Sequence, residues 1–397
     1  MHLQPARIFG GSIIGRILWG SLASTQFQAR SYSAVPETLR PAFGFCVQQV
    51  RQYDYLNYVW VAQMPPELRP ALFTLRAFNI ETALIAENVR SKEAVVGQIR
   101  FQWWRDVIKA AYDGTPPNHP VALALSHVLR SDTDNDVAGC VSGGGVTGAN
   151  TNINTGPVVG TDGGASACGG GSCSTSTEGA AAVDARATGP SSGSATGPVR
   201  YNRYCFKRII DTREADFLDT QPPLHLQALE QYAEGTSSQL MYLQLAAAGV
   251  KNPDADHVAS HLGRAAGIST LLRGTAAHAA ARRCYLPVDL CAEARVSQED
   301  VYGGVVSEGL RDVVHKVASL AKGHLDEARR LAPRLPRGAA RVMLPAVGVG
   351  KYLEALEAAN FNPYDPKLIR EHGGSGEGSA PLAYVLAIKW HQMRGTY

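Results

Sequence analysis

No apolar stretch in these 397 residues reaches the roughly 18 that a helix needs to cross a bilayer, so the sequence offers no membrane span. It holds no CxxC pair, and its seven cysteines are an odd number. Cys168 and Cys173 stand in a Gly/Ser tract with no histidine nearby, which argues against a metal site or a disulfide framework and for free thiols in a reducing compartment. Charge of one sign is not in excess: the formal net charge is +3 and the basic residues are scattered, which excludes nucleic acid as an electrostatic partner. Acidic residues are missing altogether before Glu37, and aromatic residues are missing from 131 to 199.

Those last two absences divide the chain. Ahead of Glu37, Arg7, Arg16 and Arg30 alternate with Ser12, Ser21, Ser24, Ser31 and Ser33, and Ile13, Ile14, Ile17, Leu18 and Trp19 can form one apolar helix face. A basic, acid-poor, serine-containing amphipathic start is the composition of an organellar transit peptide. Residues 1–33 are therefore expected to be a mitochondrial transit peptide, with the mature chain starting near Ser33. The stretch 131–199 is Gly, Ala, Ser and Thr with a few Asp and Asn. It cannot bury enough apolar area to offset its backbone entropy, which predicts a disordered insert. Long surface loops cost little to close, so the flanking segments 41–130 and 200–397 can form one domain.

What is there is helical periodicity. Phe45, Val50, Tyr53, Leu56 and Val59 mark a first helix, and Pro70 to Ile85 a second. Val95–Ala111, Pro120–Arg130, Tyr204–Leu218, Leu224–Ala248, Asp256–Ala281, Val305–Leu331, Val342–Ala359 and Pro381–Arg394 follow. No alternating strand pattern competes, so the expected class is all-α.

Three stretches carry more information. Leu72–Glu81 reads LFTLRAFNIE, Ile99–Asp106 reads IRFQWWRD, and Gly263–Pro287 ends in RCYLP. They are similar to the "YAFCR", "RLQWWRD" and "QLTNILRD…GRVYLP" stretches of the squalene/phytoene synthase family, and Ile210–Asp216 and Tyr232–Ser238 fit between them. In this order, from Phe43 to about Leu290, the chain resembles that family. The resemblance implies a single isoprenoid-synthase-type helical domain with a central cavity.

Active members of the family join two prenyl diphosphates head to head, with Mg²⁺ held on two DxxxD motifs to stabilise the departing diphosphate. Mg²⁺ takes oxygen ligands, and carboxylates at i and i+4 share one helix face. Here the first motif falls on Ala83 and Glu87 and the second on Gly274 and His278, while the Gln and Asn of "QLTN" fall on Gly267 and Thr270. Four carboxylates have become one. The degenerate motifs predict no catalytic set, no metal and no cofactor. Arg76, Phe78, Asn79, Trp103, Trp104, Arg273 and Tyr285 remain as candidates to line the emptied cavity. Trp103 and Trp104 are adjacent and cannot share a face, so one is expected in the core and the other on a neighbouring helix or the cavity rim. Arg76, Arg105, Arg273, Arg282 and Arg283 either form a positive pocket mouth or pair with Glu81, Asp106 and similar neighbours.

Other carboxylates read as structural. Asp132 and Asp136 form a literal DxxxD but lie in the insert, and the calcium-loop start at Asp132, Asp134 and Asp136 lacks its glycine and its glutamate. Glu230 with Glu234 reads as a solvated helix face, and Asp289 with Glu293 as first-turn charge.

Arg76–Glu81, Gln102–Trp104, Ala259–His261 with Gly263, Gly267–Ile268, Leu272–Arg273, Trp390, Thr396 and Tyr397 are similar to one branch of the family. That branch combines a presequence with degraded Asp motifs. It implies a pseudoenzyme of the mitochondrial matrix, peripheral to the inner membrane, whose partners are membrane-arm assembly intermediates of respiratory complex I or other assembly factors. Two alternatives remain beside it: an active head-to-head prenyltransferase with unusual metal ligands, and a carrier holding a prenyl or lipid ligand.

Overall fold

The structure, a computed structural model, describes residues 35–89, 94–130, 201–336, 338–372 and 382–397. The expected transit peptide 1–33 and insert 131–199 lie outside the described residues. All described residues belong to one unit, formed by Met1–Asp136 with Pro198–Tyr397. Every regular element among them is a helix.

The first helices are α1 (Arg40–Tyr53), α2 (Tyr55–Ala62), α3 (Arg69–Ala83) and the short α4 (Ile85–Asn88). α5 (Ala94–Asp113) and α6 (Pro120–Arg130) complete the N-terminal group, and α7 (Arg203–Leu218) packs on α5. Buried Phe43, Cys46, Val47 and Val50 repeat at helical spacing along α1. With Trp60, Phe73, Phe78, Phe101, Trp104 and Phe206 they form one hydrophobic core. The sequence predicts a single helix through Phe45–Val59, but Asp54 breaks it with φ −144 and ψ 57. Its carboxylate accepts from Asn57 Nδ2 (2.8 Å) and pairs with Arg76 (3.2 Å), so a side-chain acceptor competes locally with the helix ladder.

The second core is built around α10 (Pro253–Arg273). Asn252 caps it by accepting from the Ala255 N–H (3.0 Å), and Asp254 and Asp256 sit in its first turn. Before it come α8 (Leu226–Ala233), one π-helical turn (Glu234–Ser238) and α9 (Gln239–Ala247). After it come α11 (Thr275–Ala280), α12 (Val288–Glu293), α13 (Gln298–Tyr302) and the long α14 (Glu308–Leu331), which packs along α10. The helices α15 (Ala339–Val342), α16 (Pro345–Ala358), α17 (Pro366–His372) and α18 (Leu382–Arg394) close the chain.

Two expected helices are each interrupted. Leu224–Ala248 widens at the π-turn, and Asp256–Ala281 stops at Gly274. Small residues explain how deeply α10 is set. A Cβ at Gly267 would stand 2.6 Å from the Ala233 Cβ, and one at Gly263 would overlap the Ser238 Cα and stand 2.6 Å from its backbone N. Backbone meets backbone where α10 crosses the π-turn.

The connection 131–200 starts and ends on the same support. Gly114 ends α5 at φ +79 with the Arg130 guanidinium lying over it, and Tyr112 donates its hydroxyl to the Tyr201 carbonyl (2.9 Å).

Candidate functional site

The four positions expected from the resemblance to stand where the Asp motifs would be lie at the ends of α3 and α10 and just beyond them. Ala83 is the last residue of α3, Leu84 bends the chain, and Glu87 follows on α4; both Ala83 and Glu87 are exposed. A break thus separates two positions that one uninterrupted helix would stack. Gly274 terminates α10, and His278 on α11 folds its ring back over it. A Cβ at position 274 would come 2.5 Å from His278 Cε1. The glycine and the histidine are therefore a packed pair, and a carboxylate at 274 would have to displace the imidazole.

His278 also meets the Tyr285 ring edge-on, with centroids 4.7 Å apart. Burial, reinforced by the nearby Arg283 cation, lowers its pKa to about 4, so the imidazole is neutral at physiological pH. Its buried Nδ1 has no hydrogen-bond partner among the described residues. The Mg²⁺ of active synthases is a hard cation that wants carboxylate oxygens. A methyl, one exposed glutamate, a glycine and a neutral imidazole do not fit it. Among the described residues no three His, Cys, Asp or Glu side chains come together as a metal site.

Protein cations occupy the ground between α3, α7 and the segment after α11. Arg213, on α7, donates from Nη1 to the Asn79 carbonyl (2.5 Å) and to Thr82 Oγ1, and from Nη2 to Asn79 Oδ1 (2.7 Å). It also lies near Tyr232 and in the field of Asp216. Asp216 accepts from Arg283 Nη2 (3.0 Å) and from the Tyr285 hydroxyl (2.8 Å). Burial raises the Asp216 pKa, and Arg283 and Tyr285 oppose that shift. On the neighbouring face of α7, Arg105 donates to Asp211 (2.7 and 3.0 Å) and to Glu214. The result is a chain of hydrogen-bonded polar and charged groups from the end of α3, through α7, to Tyr285 and His278. It fixes these elements to one another and leaves its carboxylates engaged by arginine.

Of the residues singled out from the sequence, Asn79, Tyr285 and His278 join this network. Phe78 and Trp104 are core residues, edge-to-face at 5.5 Å, and Phe78 also meets Phe206 edge-to-face at 5.3 Å. Trp103 is partly exposed and rests on His119 (5.3 Å). Arg76 is placed away from the network, buried against Asp54 and over the Trp60 ring. Arg273 sits at the C-terminal end of α10, where its charge reaches Tyr352 and Tyr384. Arg282 pairs with Glu299 at the surface.

Sequence reasoning missed Arg213, Asp216 and Tyr232 as individual site residues. The available signal was three charges within a four-residue span of a helix that must also carry Ile209 and Ile210 into the core. Glu234 departs from the expected solvated face. It accepts from Tyr242 (2.8 Å), Ser260 (2.8 Å) and Arg264 (3.0 Å), and these bonds hold its pKa below the usual carboxylate value against the opposing effect of burial. Asp289 and Glu293 pair with His225 and Lys316.

The neutral state of His278 has a measurable consequence. Its folded pKa lies below the ordinary 6.5, so the unfolded chain takes up this proton first as pH falls. The stability it contributes is complete above pH 6.5 and is lost on the way down to about 4, a span of roughly 2–3 kcal/mol after allowing for partial solvent access. His278→Phe keeps the contacts with Gly274 and Tyr285 and removes the titration. Urea unfolding across that range is expected to show a flatter pH profile for the variant; parallel profiles would mean that folding does not shift the His278 pKa.

The squalene/phytoene synthase family profile matches residues 50–135 and 194–372. A bovine protein named NADH dehydrogenase (ubiquinone) complex I, assembly factor 6, is 31% identical over 330 residues, covering 83% of this chain and 78% of that protein. Its human counterpart is 28% identical over 326 residues, covering 82% and 76%. Among solved structures, a squalene synthase from Alicyclobacillus acidocaldarius superposes with a TM-score of 0.59 at 16% identity, covering 84% of this chain and all of that one. A dehydrosqualene synthase crystallised with ligand superposes with a TM-score of 0.61 at 13% identity, covering 90% and 99%. With an all-helical fold of that type and a profile match on both sides of the 131–199 stretch, this chain belongs to the squalene/phytoene synthase family.

Proposed function

We propose that this protein is a non-catalytic member of its family that acts in the assembly of mitochondrial respiratory complex I, in the matrix and at the periphery of the inner membrane. Its partners are membrane-arm assembly intermediates or other assembly factors. The observation that carries the non-catalytic half is the pairing of His278 with Gly274, where a neutral ring fills the space a metal-binding aspartate would need. The arginine-closed network from Asn79 to Tyr285 supports it, because carboxylates engaged by guanidinium groups are poor metal ligands. The assembly half rests on relatives that carry the assembly-factor name and align over most of both chains. The acid-poor, basic start of the chain supports mitochondrial import.

Deletion of the gene is expected to deplete assembled complex I, seen on native gels and as lost NADH-linked respiration, and re-expression of the chain to restore both. Normal complex I in a verified null strain would end the assembly reading. Incubation with Mg²⁺ and labelled farnesyl or geranylgeranyl diphosphate is expected to release no diphosphate. A head-to-head product would return the protein to the prenyltransferases, and a prenyl compound copurifying from mitochondria would favour a carrier.

A further inference from the structure

The last helix, α18, is anchored on one side and bare on the other. Tyr384 and Ile388 are buried, and Gln392 Nε2 donates to the Gln63 carbonyl (3.0 Å), which ties α18 to the chain beyond α2. The opposite side carries Leu382, Leu386, Trp390 and Met393, spaced four, four and three residues apart, so they fall within one arc of the helix. They are 63%, 60%, 51% and 77% exposed. Isolated exposed apolar residues are ordinary, but four in a row along one helix form a continuous ridge.

The charge on the ridge's own segment has one sign. Lys389 and Arg394 are exposed on α18 itself, and no acidic residue occurs from 378 to the C-terminus. Arg394 also stacks over the Trp390 ring at 4.2 Å. Arg329 on α14 and Lys351 on α16 lie on the other side of α18, by His391: burial first, then these two cations and Arg394, lower the pKa of His391. No helix among the described residues is long and apolar enough to cross a membrane, so any membrane contact made by them is peripheral.

We propose that α18 is a membrane-docking surface that seats the ridge of Leu382, Leu386, Trp390 and Met393 in the interface of an anionic bilayer, with Lys389 and Arg394 reaching phosphate headgroups. An apolar helix face ringed by cations, with tryptophan at the boundary, is the chemistry such an interface selects. A convex ridge on a helix about 20 Å long presents a narrow strip rather than the roughly 800 Å² patch of a stable protein interface. Lipid closes around such a strip without a matching groove. The inference rests on the membrane-peripheral part of the proposed function and assigns it to a place on the molecule.

The test uses the full chain and vesicles containing about 30 mol % phosphatidylglycerol, with pure phosphatidylcholine as the reference. Vesicles with brominated acyl chains are expected to quench a component of the tryptophan emission that W390F lacks. That difference isolates Trp390 from the chain's other four tryptophans. The double variant L386E/M393E is expected to lose this quenching and to bind anionic vesicles about tenfold or more weakly, with its melting temperature unchanged because both side chains are exposed. K389E/R394E is expected to abolish the preference for anionic over neutral lipid. Equal quenching of wild type and W390F, unaltered binding by L386E/M393E, or a dimer that only the ridge variant dissolves would each overturn the proposal. A null strain with normal complex I would remove the assembly role and leave the vesicle result standing.

Discussion

Arg213→Met is expected to destabilise the fold by about 2–4 kcal/mol, because it strips a charged donor from several part-buried acceptors at once. The guanidinium makes hydrogen bonds to the backbone and side chain of Asn79 and to Thr82, and it lies near Tyr232 and Asp216. Methionine fills most of the volume but leaves these acceptors dry, and each buried unsatisfied group carries its own desolvation cost. Arg213→Lys is expected to recover little. One ammonium cannot reproduce a planar fork that bonds at Nη1 and Nη2 at once. The surface pair Arg282–Glu299 supplies the comparison, since Arg282→Met should leave stability nearly unchanged. Urea titration of the helical circular dichroism measures all three variants. A small effect at Arg213 would mean that the network is solvated and holds nothing together.

Gly263→Ala is expected to destabilise by about 1–3 kcal/mol or more, although the same substitution favours an isolated helix by nearly 1 kcal/mol. Packing outweighs propensity because the new methyl would overlap the Ser238 backbone, which has no flexible end to swing away. α10 would have to lift off the π-turn and disturb the Ser238 hydroxyl bond to the Ser260 carbonyl (3.1 Å) and the Glu234 contacts nearby. Gly323, on the exposed side of α14, has nothing within 4 Å of an added Cβ. Gly323→Ala is therefore expected to stabilise by roughly 0.5–1 kcal/mol. Opposite signs from one chemical change would establish close backbone approach as the reason for Gly263. The same sign at both positions would refute it.

The helical class could be read from periodicity because burial on one face writes itself into local spacing, as Phe43, Cys46, Val47 and Val50 do on α1. Breaks were harder to read. Asp54 interrupts a run of apolar residues because Arg76, twenty-two positions later, engages it. The π-turn carries Glu234, whose three side-chain donors lie on α9 and α10. Asn57 and Tyr242 are near in sequence, but Arg76, Ser260 and Arg264 lie more than twenty positions away, beyond any short window.

The site divides along the same line. That Ala83, Gly274 and His278 stand where carboxylates would be expected is what the resemblance to the family's motifs implies, and it needs no knowledge of their partners. What replaced them is not. Arg105 was weighed against its neighbour Asp106 and instead meets Asp211 and Glu214, more than a hundred residues on. Arg283 reaches back to Asp216. The close contact of Gly274 with His278 was within reach, four residues apart, but the folded-back ring depends on Tyr285 packing behind it.

Arg130 and Tyr201 both rest on the end of α5, one over Gly114 and the other bonded to Tyr112. The distance between these two anchor points is thus set by α5, whatever the chain does from 131 to 200. Because closure entropy grows only with the logarithm of length, residues can be gained or lost there over generations at little cost to the helices. The same geometry makes this a natural port for a reporter domain: a guest whose termini lie close together would enter and leave at one anchored spot.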